Sequence, residues 1–132
     1  MIRRIIAAAL LAVALPAAPS ALAQGASVPA NKTTEIGFMW AVDVRTCGNL
    51  AKPKVDLRQP KHGKVTTKWI ARKFSGGRGS GRKCNGRLGK GTAIYYTPNK
   101  GYRGPDGFRI SVTNRLDGQS RRRTESVRFR VQ

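Results

Sequence analysis

Two short stretches near the C-terminal end constrain this chain more than anything else in it. Residues 107–113 (GFRISVT) and 125–131 (ESVRFRV) alternate apolar and polar side chains with a period of two. That is the pattern of a strand with one face buried and the other wet. Between them stands Asp117-Gly118, a dipeptide suited to the positive φ angles of a tight hairpin turn. No segment holds the longer period of a capped amphipathic helix, so the chain is expected to fold as β structure.

The remaining segments repeat the theme. Residues 34–44 are rich in β-branched and aromatic side chains, residues 54–57 are short and alternating, and residues 64–74 (KVTTKWIARKF) and 92–97 (TAIYYT) are further strand candidates. Turn chemistry separates them at residues 59–63 (QPKHG) and 98–105 (PNKGYRGP). Short strands with turn signals at close intervals predict an all-β sandwich or barrel. Two stretches are expected to stay outside it. Residues 24–33 read as a flexible lead-in, and residues 75–87 (SGGRGSGRKCNGR) read as a mobile loop tethered at Cys84.

The first residues read as a secretory signal. Arg3 and Arg4 precede an apolar run from Ile5 to Leu15, and Ala21-Leu22-Ala23 offers a small-x-small cleavage pattern. Removal of residues 1–23 would leave one domain over residues 34–132, periplasmic or secreted, with no second hydrophobic span. The two cysteines, Cys47 and Cys84, are then expected to pair in an oxidising compartment. A metal site is not expected, because only His62 could join the two thiols. Charge is the extreme property of the composition: 26 Lys and Arg stand against six acids, a formal net charge of +20. Such a field attracts polyanions without specifying one of them.

Residues 96–108 (YTPNKGYRGPDGF) resemble the bacterial Ig-like and cadherin-like repeats of surface and secreted proteins. Those repeats carry a YTP, a few residues, a G-x-D-x-F and a closing hairpin. Residues 60–65 (PKHGKV) resemble the family's P-x-x-G-x-V turn. The resemblance implies an immunoglobulin-like antiparallel β-sandwich and an adhesive or binding role. It implies a corner-holding part for Gly63, Tyr96, Pro98, Gly101, Tyr102, Gly104, Asp106 and Phe108. The residues agree with that part. Pro98 would end a strand, Gly101 and Gly104 permit tight turns, Tyr102 and Phe108 offer apolar anchors, and Asp106 can accept loop N–H groups. The chain lacks the family's D-x-N-D-N linker, so calcium is not expected and no cofactor is assigned.

Catalytic patterns are thin. His62-Gly63 with Ser80-Gly81 and Cys84 superficially resembles the HG and S-x-G-C elements of L,D-transpeptidases, but the cysteine is displaced by one residue and Cys47 can consume it. No catalytic residue is therefore assigned, and the chain is expected to be a binding module. The basic clusters carry that expectation. Arg78, Arg82, Lys83, Arg87 and Lys90 lie in the glycine-rich stretch, Arg121, Arg122 and Arg123 are read in a turn, and Arg128 and Arg130 alternate onto one face of the last strand. Guanidinium groups bind phosphate or carboxylate bidentately. The expected partner is an anionic envelope polymer such as lipopolysaccharide, acidic polysaccharide or nucleic acid; the alternative is another envelope protein, with the charge incidental.

Overall fold

The computed structural model describes residues 25–132, so the predicted signal segment lies outside the described residues. Seven strands follow in order: β1 (Ala26–Val28), β2 (Thr34–Trp40), β3 (Lys54–Arg58), β4 (Gly63–Lys73), β5 (Leu88–Pro98), β6 (Gly104–Leu116) and β7 (Gln119–Val131). They form two sheets, β1-β7-β6-β3 and β2-β5-β4. This division is that of an immunoglobulin-like sandwich. Every pairing is antiparallel except one, the parallel contact of β1 with β7.

The alternation read in the sequence builds the interior. Phe108 and Ile110 of β6 share a face with Phe129 and Val131 of β7, and across the gap they meet Val65, Ile94 and Tyr96 of the three-stranded sheet. The Tyr96 and Phe129 rings meet edge to face at 4.5 Å, a favoured aromatic geometry. Hairpin β6–β7 closes at Asp117-Gly118, where both residues hold positive φ (50° and 75°) and Leu116 pairs with Gln119. Such a turn matches the twist of the strands it joins.

Three expectations need correction. The lead-in is not all flexible: residues 26–28 form β1, and Val28 is a core residue. Backbone bonds from Ala30 N to Gln132 O (2.8 Å) and from Gln132 N to Val28 O (2.9 Å) dock it on the chain's last strand. Three residues with one buried side chain are too short to display a period.

The glycine-arginine stretch is also built rather than mobile. A 3₁₀ segment spans Gly79–Cys84. Asn85 Oδ1 accepts from Gly77 N at 2.9 Å, and Phe74 and Arg87 continue the β4–β5 ladder through Phe74 N to Arg87 O. A Cβ on Gly77 would lie 2.3 Å from Gly81 O, so this glycine permits close approach of backbone to backbone. The Cys47–Cys84 disulfide pins the loop to the β2–β3 connection.

Third, Arg121, Arg122 and Arg123 stand in β7, not in a turn. Here the hairpin runs past the core, with residues 119–126 exposed, so no apolar alternation marks the strand.

Candidate anion-binding face

The outer face of the four-stranded sheet follows from register. With Phe129 and Val131 turned inward, Arg122, Ser126, Arg128 and Arg130 of β7 point outward, as successive side chains alternate across a strand. Their partners on β6 are Thr113, Arg109, Gly107 and Pro105. On β3 the outward residues are Lys54, Asp56 and Arg58, which pair with Thr113, Ser111 and Arg109. The middle is low and polar: Ser111 Oγ and Thr124 Oγ1 share a hydrogen bond of 2.8 Å. Around it stand six long basic side chains, Lys54, Arg58, Arg109, Arg122, Arg128 and Arg130, all exposed, against the single carboxylate of Asp56.

Asp56 is already shared. It lies 3.9 Å from Lys54 Nζ and 3.8 Å from Arg122 Nη1. Among the described residues no ion pair involves Arg58, Arg109, Arg128 or Arg130. These residues stand on a sheet, where backbone hydrogen bonds fix the spacing of their Cα atoms, and none is neutralised by the described residues.

The other predicted cations are dispersed. Arg78, Arg82, Lys83 and Arg87 are exposed on the disulfide-pinned loop, at the end of the sandwich where β5 begins, and Lys90 lies in β5 itself. The three consecutive arginines divide between faces: Arg122 joins the outer face, whereas Arg123 follows the inward register and pairs with Glu125 at 3.0 Å. Arg121 shares that register and stands near the hairpin tip. Lys54, Arg58 and Arg109 were missed in the sequence. The only signal for the two arginines was alternation with Leu57 and Ile110, legible once β3 and β6 are set side by side.

The motif residues gather at the opposite end of the sandwich. Tyr96 is fully buried, and its hydroxyl donates to Asp106 Oδ2 at 2.6 Å. The same oxygen accepts from His62 N at 3.3 Å, while Asp106 Oδ1 accepts from Gly107 N at 2.9 Å. Burial first, and then the neighbouring carboxylate, push the Tyr96 phenol above its ordinary pKa. Gly63 pairs with Pro98 and would drive a Cβ into the Tyr96 ring. Gly101 (φ 78°) donates its N–H to Asn31 Oδ1, Gly104 takes φ 134°, and Tyr102 donates its hydroxyl to Pro105 O and stacks on His62 at 4.0 Å. Phe108 enters the core beside them. His62 therefore sits in an aromatic stack at this corner, while Cys84 is bonded to Cys47 beyond the far end of β4.

On the other outer face, charge is used differently. Arg72 of β4 makes a bidentate pair with Glu35 of β2 (2.9 and 3.0 Å) and lies 4.0 Å above the Phe38 ring. The hydrogen bond from Arg72 holds the Glu35 carboxyl below its ordinary value. Phe38 lies over Gly91, where a Cβ would collide with its ring; at Gly89 a Cβ would collide with Val42 and crowd Trp40, which meets Phe74 edge to face at 4.9 Å. Elsewhere, the backbone N–H of Arg45 lowers the Asp43 pKa.

The fold and this face define a disulfide-bonded all-β sandwich with one arginine-lined outer surface. Comparison with family models, curated proteins and solved structures finds no match to any of them. Among the described residues no helix is long and apolar enough to cross a membrane, and no group of three His, Cys, Asp or Glu side chains could hold a metal ion.

Proposed function

We propose that this is an exported binding module that holds an anionic envelope polymer on the outer face of its four-stranded sheet. One observation carries the reading: around the centre of that face six exposed Lys and Arg side chains stand against one carboxylate in the outward register, Asp56. A row of guanidinium groups at strand spacing can engage successive phosphates, sulfates or carboxylates along a chain. The resemblance of residues 96–108 to bacterial Ig-like repeats agrees with a binding role, and the corner it builds supports the end of the sheet that presents Arg128 and Arg130.

The test is binding of the mature protein to lipopolysaccharide, peptidoglycan, acidic polysaccharide and DNA across a salt series. A face variant, with Arg58, Arg109, Arg128 and Arg130 changed to Ser, is set against a charge-matched loop variant in which Arg78, Arg82, Lys83 and Arg87 become Ser. The reading predicts a preferred polymer, a large loss in the face variant and a small one in the loop variant. The logarithm of the affinity should also fall less steeply with salt in the face variant, by about three to four units of slope, since each phosphate contact contributes about one. Equal loss in both variants would overturn it.

A second reading rests on a different observation. β1 covers only Phe129–Val131 of β7, so residues 119–128 have no strand partner on that side among the described residues. An uncovered edge can accept a strand from another protein. That complex would be tolerant of salt and insensitive to the face variant.

A further inference from the structure

Within the basic face, three guanidinium groups surround one hollow. Arg58 and Arg109 are direct cross-strand partners, Arg109 pairs with Ser126, and Arg128 pairs with Gly107. Because Gly107 has no side chain and Ser126 a small one, the surface sinks there into a depression of about 600 Å³, with Lys61 on its wall. The glycine is enforced by the backbone: a Cβ at residue 107 would lie 2.6 Å from Val127 O.

The electrostatics of this hollow are unbalanced. Like charges directly opposite each other on paired strands destabilise a sheet, yet Arg58 faces Arg109. The one carboxylate that lines the hollow, Asp106, is engaged by the Tyr96 hydroxyl and by the His62 and Gly107 N–H groups. Nothing in the described chain neutralises the three arginines. A ligand that supplies negative charge on three tetrahedrally arranged oxygens would engage all three, since each planar guanidinium can offer two parallel N–H donors. A planar carboxylate has two oxygens, too few for three forks.

We infer that the hollow over Gly107 is a subsite for a tetrahedral oxyanion with three terminal oxygens, a phosphate monoester or sulfate ester, held by Arg58, Arg109 and Arg128. This rests on the polyanion-binding reading and narrows it: the preferred polymer carries terminal phosphate or sulfate groups and not carboxylates alone. The three arginines come from β3, β6 and β7, so the occupied subsite also ties three strands of the sheet together.

The experiment is thermal unfolding of the mature, oxidised protein in inorganic phosphate, sulfate, acetate and chloride at matched ionic strength. Concentrations stay in the low millimolar range, below the general stabilisation that sulfate gives by exclusion from protein surfaces. Phosphate and sulfate should raise Tm by at least about 5 °C at a tenfold excess over Kd, and acetate and chloride should not. Arg109→Ser should abolish the rise. In chloride alone it should unfold no earlier than the wild type, because it relieves the Arg58 contact; this separates loss of a site from loss of the fold. An equal rise in all four salts, or a rise retained by Arg109→Ser, would overturn the subsite. Vesicles bearing a phosphomonoester lipid and a soluble sulfated polysaccharide then separate lipid from polymer as the source: the one that inorganic sulfate displaces from the wild type names it, and displacement of neither counts against the subsite. The two proposals fail separately. Polymer binding that survives Arg109→Ser but is lost in the full face variant refutes the subsite alone, whereas a selective rise in Tm with no polymer bound refutes the polymer reading alone.

Discussion

The two outer faces of this sandwich use arginine in opposite ways. On the three-stranded sheet Arg72 is consumed within the fold: Glu35 holds it bidentately and the Phe38 ring lies beneath it. On the four-stranded sheet Arg58, Arg109, Arg128 and Arg130 have no carboxylate among the described residues, and Arg58 faces Arg109 directly. A compositional excess of basic residues would scatter without regard to partners. Here one arginine is paired and stacked within the fold, whereas four on the opposite face make no ion pair among the described residues.

The comparison can be sharpened by changes whose effects differ in size. The largest concerns neither face. Replacing Cys47 and Cys84 by Ser opens a link across 37 residues of sequence and should lower stability by about 4 kcal/mol on the chain-entropy account, measured by urea unfolding. The arginine face should still bind its polymer wherever the protein remains folded, because no strand of that sheet carries either cysteine. Loss of binding in the folded variant would move the site to the loop.

Next is the corner beneath the face. Tyr96→Phe removes the donor to Asp106 and leaves a partly buried carboxylate short of a partner, at a cost of about 1–3 kcal/mol. If Asp106 is held away from the hollow by these bonds, the variant should also weaken binding of sulfate, as a loosened carboxylate competes for the arginines.

The smallest effects carry the sign test. Arg72→Ala should lower Tm, and the cost should depend on pH. Glu35 is held below its ordinary carboxylate value, so the stability it contributes is present above that value and is lost as pH falls through the lowered folded pKa. The acid-side fall in Tm should therefore be shallower in Arg72→Ala than in the wild type. Arg109→Ala should leave Tm unchanged or raise it in low salt, since it removes a repulsion. Equal destabilisation by both changes would erase the distinction between the faces.

Much of this was legible in the residues. Alternation in 107–113 and 125–131, the Asp117-Gly118 turn and the two cysteines were enough for an all-β sandwich with one disulfide. Three things were hidden for physical reasons. β1 is only Ala26–Val28, and its place is set by its partner strand rather than by its own pattern. Arg121 to Arg123 lie where the β6–β7 ribbon leaves the core, so no buried face imprints an alternation on them. The glycine-rich loop looked mobile because its order comes from the disulfide, the Asn85 clamp and close backbone contact at Gly77, none of which has a periodic signature. For the site, Arg128 and Arg130 could be placed on one face from their own strand. Arg58 and Arg109 could not be joined to them, since that requires the register of β3 on β6 and of β6 on β7.

The central claim is that binding belongs to one face and not to the net charge. It is tested most directly by two variants that each remove two positive charges, Arg109→Ser with Arg128→Ser on the four-stranded sheet, and Lys64→Ser with Lys68→Ser on the opposite outer face. Affinity for a sulfated polysaccharide is measured for both by titration calorimetry at one ionic strength. The account predicts a loss of about a hundredfold in the first, from two charge-assisted contacts of about 1.5 kcal/mol each, and a loss of less than about threefold in the second, from the weakened field. Matching losses in the two variants would contradict it and leave the charge as an unlocalised field.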